Sequence, residues 1–243
     1  MLNRIFSTDS AKAIKAADYG WLNAIHYLAP AKLSGFNLCP HASAGCKALC
    51  LGWHSGQSGM VAHGNAYNNV RQSRVDKARR FMTDRVGYLR DIVRSIELLI
   101  AKSNKLDVDL CVRLNGSSDI AWEGVRYNGL TLFETFPDVA FVDYTKNPLR
   151  FKRPLPKNYH LTFSLSETNK PQALELLASG VNVAVVADYA RPTLWHGFKT
   201  IDGDKHDLRQ LDPRGARGCV VWLSPKGRKA KRDKSGFVQR TVS

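Results

Sequence analysis

Three cysteines stand close together in the stretch NLCPHASAGCKALCLGWHSG, at Cys39, Cys46 and Cys50. The chain has five cysteines, an odd number that leaves at least one without a disulfide partner. We expect a protein of the reducing cytosol, outside any membrane, because no apolar run is long enough to cross a bilayer and the first residues lack a secretory signal. In that compartment, clustered thiols indicate metal binding or catalysis.

The C-x6-C-x3-C spacing supplies three soft ligands on one Gly- and Ser-rich segment and leaves a fourth coordination position open. Our interpretation is a [4Fe-4S] cluster, which can bind three thiolates and keep one iron for a small molecule. Zinc is an alternative that needs a fourth ligand, with His41 and His54 nearest. Thiols without a metal are the third alternative, since spacing alone does not identify a metal. Cys111 and Cys219 lie in or beside predicted strands and are expected to be buried side chains.

Short apolar runs that end in polar residues predict a series of β-strands in the second half of the chain. Several are apolar almost throughout, which is typical of parallel strands covered on both faces. Between two of them, KPQALELLASG predicts a helix that begins near Pro171 and ends at Gly180, completing a β-α-β unit. We therefore expect an α/β fold with a parallel (β/α) barrel, either complete or incomplete. Some connections leave room for only short helices or loops, which argues against a complete barrel. The runs are DLCVRLNGSSD, VAFVDYTKNP, YHLTFSLSETN, VNVAVVADYARP and GCVVWLSPKG.

The first half of the chain carries helical patterns. A short helix is predicted around Ala11 to Leu28, before Pro30 interrupts the pattern. From Asn69 to about Lys102, apolar residues recur at helical spacing and predict one long helix or two shorter ones, with Gly87 as the break. The 243 residues are expected to form a single domain with four consecutive parts, namely a lead-in (1–36), a cysteine loop (37–68), a helical segment with the barrel (69–225) and a basic tail (226–243).

The polar residues that directly follow each apolar run are the candidate site residues, because function in parallel barrels sits at the carboxyl ends of the strands. Turn formation alone can also place Asn, Ser and Asp at such positions. The candidate catalytic or orienting side chains are Asn115, Ser117, Asp119, Lys146, Ser166 and Glu167; those for cofactor binding are Asp143, Ser164 and Asp188.

The charge of the chain points to an anionic partner. Thirty-six Lys and Arg residues against twenty-one Asp and Glu give a net charge of +15, which attracts nucleic acid or an anionic small molecule such as a phosphorylated metabolite. Part of the excess lies in the tail, KGRKAKRDK, where Lys226 and Asp233 can instead belong to the site. Phosphate contacts are one interpretation of this tail and a solvated charge run is the other; the cations concerned are Arg228, Lys229, Lys231 and Arg232.

A second acidic stretch, WHGFKTIDGDKHDLRQLDP, contains Asp202, Asp204 and Asp207. These carboxylates could bind a divalent ion through oxygen ligands, as a magnesium-dependent nuclease requires. The alternative is a polar turn, with Gly203 supplying the turn and nearby cations pairing with the acids.

A three-cysteine loop ahead of a parallel barrel resembles the radical S-adenosylmethionine superfamily. The resemblance implies a [4Fe-4S] cluster whose free iron binds S-adenosylmethionine and cleaves it reductively, so this molecule is a candidate second cofactor. The usual spacing in that superfamily is C-x3-C-x2-C, whereas this chain has C-x6-C-x3-C.

A closer resemblance covers most of the chain from the cysteines onward. The segments ASAGCKALCL, VRQSRVDKARRFMTD, RLNGSSDIAWE, DYTKNP, HLTFSLSETN, GVNVAVVAD, IDGDKHDLRQLDP and KGRKAKRDKSGF look like the successive motifs of an uncharacterised family of bacteriophage and plasmid proteins. The resemblance implies a phage-encoded protein of the host cytoplasm, with the cysteine loop and the strand-end polar residues as its site, and it implies no particular reaction. The stretch CLGWHSGQSG differs from the Thr-Ala-Gly version typical of that loop.

Together these features predict an iron-sulfur protein, a radical-SAM-like enzyme acting on a nucleotide or nucleic-acid-related anionic substrate. In this hypothesis the strand-end side chains orient the bound molecule, and Lys146 with nearby arginines balances its charge. Two alternatives stay open: a non-catalytic nucleic-acid-binding protein with a structural metal site, and a magnesium-dependent nuclease.

Overall fold

A nine-stranded β-sheet forms the centre of the fold in this computed structural model, which describes residues 4–9, 11–62 and 65–240. Two further strands form a separate hairpin. In chain order the strands are β1 (Phe6–Ser7), β2 (Trp21–His26), β3 (Asp109–Arg113), the hairpin strands β4 (Arg126–Tyr127) and β5 (Leu130–Thr131), β6 (Ala140–Thr145), β7 (Tyr159–Ser164), β8 (Val183–Val186), β9 (Leu194–Trp195), β10 (Phe198–Asp202) and β11 (Val220–Leu223).

The central strands of the sheet are parallel, and only its two edge pairings are antiparallel. The spatial order is β1-β2-β3-β6-β7-β8-β11-β10-β9. β1 pairs antiparallel with β2, and β9 with β10, whereas every pairing from β2 across to β10 is parallel. The predicted α/β class with a parallel sheet is therefore confirmed. A barrel is not shown, because within the described residues no strand pairing joins β1 to β9 and closes the sheet.

All five apolar runs form strands of this sheet, namely β3, β6, β7, β8 and β11. Neighbouring residues of a strand point to opposite faces, and in β11 both Val220 and Val221 are 0% exposed. The sheet is therefore covered on both sides there, as parallel strands require.

The helices connect the strands, and the two longest follow each other directly. The structure has α1 (Ala11–Ile14), α2 (Ala44–Ala48), α3 (Leu51–His54), α4 (Gly56–Gly59), α5 (Asn69–Thr83), α6 (Arg85–Leu106), α7 (Leu132–Thr135), α8 (Lys170–Ala178) and α9 (Gly227–Lys231).

The helix expected over 11–28 is wrong for most of its length. After α1 the chain makes a 3-10 turn over Ala17–Tyr19, reverses at Gly20 with φ 74°, and enters β2. β2 pairs with β3 along its length, with Asn23 opposite Cys111. Pairing in the middle of a sheet overrides the local helical pattern, because it satisfies the backbone of a segment that is also buried.

The apolar stripe expected over 69–102 is confirmed, and it belongs to two helices. Val75 and Ala78 of α5, with Leu89 and Ile92 of α6, are buried in the larger core beneath the sheet. The break lies at Asp84 and not at the predicted glycine: the Asp84 carboxylate accepts the N–H of Gly87 at 3.1 Å and starts α6. A side-chain cap thus ends one helix and begins the next.

The predicted helix after β7 is confirmed as α8. Pro171 lies in its first turn, where the missing N–H costs nothing, and Gly180 follows its end with φ 93°. The expectation of short connections is also confirmed over 121–138, which holds a 3-10 turn, the β4-β5 hairpin and α7. Among the described residues no helix has the length and apolar character needed to cross a membrane.

Candidate functional site

The cysteine loop (residues 37–68) places two of its thiols at the start of short helices. Cys46 lies in α2, and the Oγ of Ser43, the cap of that helix, accepts the Cys46 N–H at 3.2 Å. Cys50 directly precedes α3, and its carbonyl accepts the His54 N–H at 2.8 Å. A serine cap therefore fixes the turn that carries Cys46.

Cys39 is buried ahead of α2 and has only weak hydrogen-bond partners. Its Sγ accepts the Ala31 N–H at 3.3 Å, and its thiol donates to the Ser117 carbonyl at 3.7 Å. Thiols are weak donors and weak acceptors, so these contacts hold the side chain in place and leave its capacity as a ligand largely unused. Ser117, a predicted site residue, makes this contact through its backbone.

The thiols of the loop influence one another electrostatically. Burial raises the pKa of Cys39 to about 12 and that of Cys50 to about 11, with negative charge on the neighbouring thiols as a further cause. Arg74 and Lys146 act in the opposite direction and lower the pKa of Cys50. Cys39 and Cys50 are therefore neutral thiols at pH 7, and a metal that binds them must displace their protons.

Glu167 joins the cysteine loop to the end of β7. Its Oε2 accepts the Ser43 hydroxyl at 2.8 Å, and its Oε1 accepts the Gly45 N–H at 2.7 Å. Gly45 sits so tightly that a Cβ there would lie 2.5 Å from the Ser235 Oγ and 2.9 Å from the Glu167 Oε2. The start of α2 is thus held between the sheet and the C-terminal tail, and both oxygens of Glu167 are engaged with the loop.

Arg74 of α5 is a second attachment that sequence reasoning missed. Its guanidinium donates to the Gly52 carbonyl and lies 4.4 Å from the ring centroid of Tyr27. A Cβ on Gly52 would be 2.2 Å from the Cβ of Ser117, so the loop backbone lies directly on the turn after β3. Nothing in the spacing of the cations along α5 distinguishes Arg74 from its neighbours, and only the tertiary contact identifies it.

Two predicted site residues, Asn115 and Asp143, belong to a hydrogen-bonded network of their own. One oxygen of Asp143 accepts the Asn115 N–H at 2.6 Å; the other accepts the Asn115 side-chain amide at 3.0 Å and the Tyr159 hydroxyl at 2.9 Å. Burial raises the pKa of Asp143 to about 7 in spite of these donors. We call this group the Asp143 network; its members are Asn115, Glu123, Asp143, Arg150 and Tyr159.

Arg150 connects the Asp143 network to the cysteine loop through Asp119. It donates to both oxygens of Glu123, at 2.7 and 2.6 Å, and to Asp119 at 3.2 Å. The other oxygen of Asp119 accepts the Lys146 N–H at 2.9 Å. Asp119 also contributes to the raised pKa of Cys39, so it lies between the network and the thiols.

Lys146, a predicted site residue, has its ammonium group at the end of β7. Its Nζ donates to the Ser164 Oγ at 2.8 Å and lies 5.2 Å from the ring centroid of Phe237 in the tail. Ser166 forms hydrogen bonds within the turn after β7, and Asp188 forms an ion pair with a tail arginine. The structure therefore brings four of the predicted residues against the cysteine loop or its thiols, namely Ser117, Asp119, Lys146 and Glu167.

The acids of the 202–207 segment have separate partners. Asp204 pairs with Lys226 at 3.0 Å and accepts the Ser224 N–H at 2.8 Å, and an oxygen of Asp202 accepts the Asp204 N–H at 2.9 Å. Asp207 is buried and lies 3.5 Å from Arg113. In the part of the chain that the structure describes, no group of three or more His, Cys, Asp or Glu side chains is arranged to hold a metal ion.

The histidine nearest α9 has a cationic neighbour. The Nδ1 of His54 is 3.4 Å from the Lys229 Nζ, and burial together with this charge lowers the pKa of His54.

Cys111 and Cys219 are buried in the sheet region, as expected.

The model of one protein family, described as Gene product 88, matches residues 4–241. Neither the curated proteins nor the solved structures include a match to this chain.

Proposed function

Because the chain belongs to the Gene product 88 family, a phage-type protein family, we propose its function from its own residues. The proposal is an iron-sulfur protein in which Cys39, Cys46 and Cys50 hold a [4Fe-4S] cluster with one iron free of protein ligands. The protein would then act as a radical-SAM-like enzyme on an anionic substrate related to a nucleotide or nucleic acid.

One observation carries the proposal: the three thiols of one short loop lie close enough for their charges to interact, and Arg74 and Lys146 lie close enough to Cys50 to favour its thiolate. Negative charge at Cys46 raises the pKa of both other thiols, whereas Arg74 and Lys146 favour the thiolate of Cys50. Three thiolates add three negative charges to a partly buried site, so cations at this position stabilise the loaded form.

The donor set fits a cluster better than a single ion. A structural zinc ion needs four protein ligands, whereas three thiolates are enough to hold a [4Fe-4S] cluster. When bound, such a cluster can transfer an electron to a molecule on its free iron. The parallel sheet next to the loop is compatible with a radical-SAM-like enzyme.

The residues around the thiols have definable roles in this proposal. Ser43 and Glu167 fix the turn that carries Cys46, and Arg74 holds the backbone after Cys50. Lys146 presents its ammonium group at the strand ends, where it would meet an anionic substrate or cofactor. Loading requires deprotonation of Cys39 and Cys50, so metal affinity should increase as the pH rises toward their pKa values.

The test is the iron and sulfide content of protein purified without oxygen and reconstituted with iron, compared between wild type and Cys46→Ala. Cys219→Ala, which also removes one thiol but at a buried position directly before β11, is the matched control. We expect about four irons and four sulfides per chain in wild type and control, and loss of both in Cys46→Ala.

Adding S-adenosylmethionine to the reduced protein then tests the enzyme part. A change in the EPR signal of the cluster is expected if the molecule binds the free iron. A cluster whose signal ignores S-adenosylmethionine would overturn the radical-SAM part alone, while zinc or no metal in the reconstituted wild type would overturn the whole proposal.

A further inference from the structure

The C-terminal segment carries cations that the rest of the structure does not neutralise. Residues 226–240 contain seven Lys and Arg and a single acid, Asp233. That acid is buried and accepts the N–H groups of Ser235 and Val238, both at 2.9 Å. Its carboxylate is therefore turned inward, and the surface of the segment is strongly positive.

Among the residues that the structure describes, ion pairs of this segment involve its two ends. Lys226 pairs with Asp204, and Arg240 pairs with Asp188. Between them lie exposed cations that, among the described residues, form no ion pair with a carboxylate. They are Arg228, Lys229, Lys231, Arg232 and Lys234, of which Lys229 contacts His54.

This row of cations lies beside the cysteine loop. α9 packs against α3, with the Lys229 Nζ 3.4 Å from His54 and a Cβ on Gly227 reaching within 3.5 Å of Ser55. After α9 the tail crosses the start of α2, where Phe237 approaches Gly45. A ligand on these cations would therefore be next to the thiols.

The arrangement of the cations favours a polymer over a single nucleotide. A free nucleotide presents its phosphates at one end, whereas here Arg228, Lys231 and Arg232 share one face of α9 and its cap, and Lys234 and Arg240 extend the cationic surface beyond the helix. An open cavity of about 250 Å³ continues the row and is lined by Lys234 and Arg240.

The composition of α9 argues against an anionic membrane as the partner. A helix that inserts into a lipid surface needs an apolar face, and the apolar residue of α9, Ala230, is only 6% exposed and packs inward. The mixture of Arg and Lys without apolar neighbours is typical of contacts to phosphates.

We infer that α9 and residues 232–234 bind the phosphate backbone of a nucleic acid strand and hold it next to the cysteine loop. This inference deepens the proposed function by naming its substrate class. The binding of the strand does not depend on the proposed iron-sulfur enzyme, but its role as a substrate rests on that proposal.

The experiment measures fluorescence anisotropy of a labelled single-stranded DNA of about 20 nucleotides over a salt series. The test variant is Arg228→Gln/Lys231→Gln/Arg232→Gln, which keeps Lys229 and its contact with His54. The matched control is Arg94→Gln/Lys102→Gln/Lys105→Gln, which removes the same charge from exposed positions of α6. Circular dichroism and iron content are measured on the same preparations.

We expect the test variant to lose affinity at least about tenfold at about 100 mM salt, with a salt slope smaller by about 2 to 3. The α6 variant should stay close to wild type. Equal losses in both variants would show attraction by net charge alone and would overturn the inference, as would unchanged binding in the folded test variant.

Competition identifies the ligand class. The inference is wrong if a nucleoside triphosphate displaces the DNA at equal phosphate concentration, or if vesicles with anionic lipid bind through the same cations and the DNA does not. Its failure is distinct from failure of the proposed function: DNA binding through α9 without a cluster overturns only the iron-sulfur proposal, and a cluster without DNA binding overturns only the inference.

Discussion

The thiols of the cysteine loop and the Asp143 network are both groups of buried or partly buried ionisable side chains, but they differ in how fully their polar atoms are hydrogen-bonded. In the network, both oxygens of Asp143 accept short hydrogen bonds, and Arg150 donates to two acids and a tyrosine. In the loop, Cys39 has contacts of 3.3 and 3.7 Å with backbone groups.

This difference separates a structural role from the proposed binding role. A fully bonded buried network stabilises one arrangement of the chain and has no donor or acceptor left for a ligand. In the proposed metal site, the Cys39 thiol has only weak partners, so it remains able to serve as a ligand. The polar residues of the two groups have similar sequence patterns. Only their hydrogen-bond partners in the fold distinguish the two roles.

Arg150→Leu should have the largest effect on stability. It leaves the carboxylates of Glu123 and Asp119 without their buried partner, and we expect a loss of about 3–5 kcal/mol in the free energy of unfolding, measured with urea. The exposed neighbour Arg153→Leu is the control and should change it by less than about 0.5 kcal/mol. If the network is purely structural, iron per folded molecule stays at the wild-type value. Loss of iron from folded Arg150→Leu protein would show that the Asp143 network and the cysteine loop act together as one site.

Asp143→Asn should change the pH dependence of stability. The folded pKa of about 7 is above the usual value of 3.8, so between these values the folded state holds a proton that the unfolded state has lost. Stability of the wild type therefore falls as the pH rises from about 4 to 7, by up to about 1.4 kcal/mol per pH unit from this group.

Asp143→Asn should lose that part of the slope in urea titrations at several pH values, while the exposed Asp138→Asn should keep the wild-type profile. If the slope is the same in Asp143→Asn and wild type, the Asp143 carboxylate stays ionised in the folded wild type. The hydrogen-bond donors around it would then lower its pKa more than burial raises it.

Ser43→Ala and Thr131→Ala make the smallest and most discriminating pair. Each removes the side-chain cap of a short helix, at Cys46 and at Glu134 respectively, and each should cost about 1 kcal/mol. Only Ser43→Ala should release iron faster to a chelator, because only its helix carries a proposed ligand. Equal release rates in the two variants would show that the Ser43 cap does not contribute to holding the metal.

The sequence was informative where local pattern and burial agree. The five apolar runs became strands, and α8 lies where Pro171 and Gly180 mark its ends. The stripe of α5 and α6 was readable because helical spacing places its apolar residues on one face. Composition also identified the cationic tail, although not its position beside the thiols.

Other features depended on contacts between distant segments. β2 has a helical pattern in sequence but pairs with β3, which is contributed by residues more than eighty positions later. The two residues that fix the cysteine loop, Arg74 and Glu167, come from α5 and from the turn after β7. Spacing carries no information about such pairs, because the fold and not the local chain brings them together.

By itself the sequence determined the three-thiol loop, the parallel strands and the excess of positive charge, because these follow from residue type and periodicity. Only the tertiary structure decided that Asn115 and Asp143 bond to each other, that Lys146 and Arg74 lie near Cys50, and that the tail lies beside the loop. Hydrogen bonding and electrostatic interactions act over a few ångströms, so the role of a polar side chain is fixed by the neighbours that folding gives it.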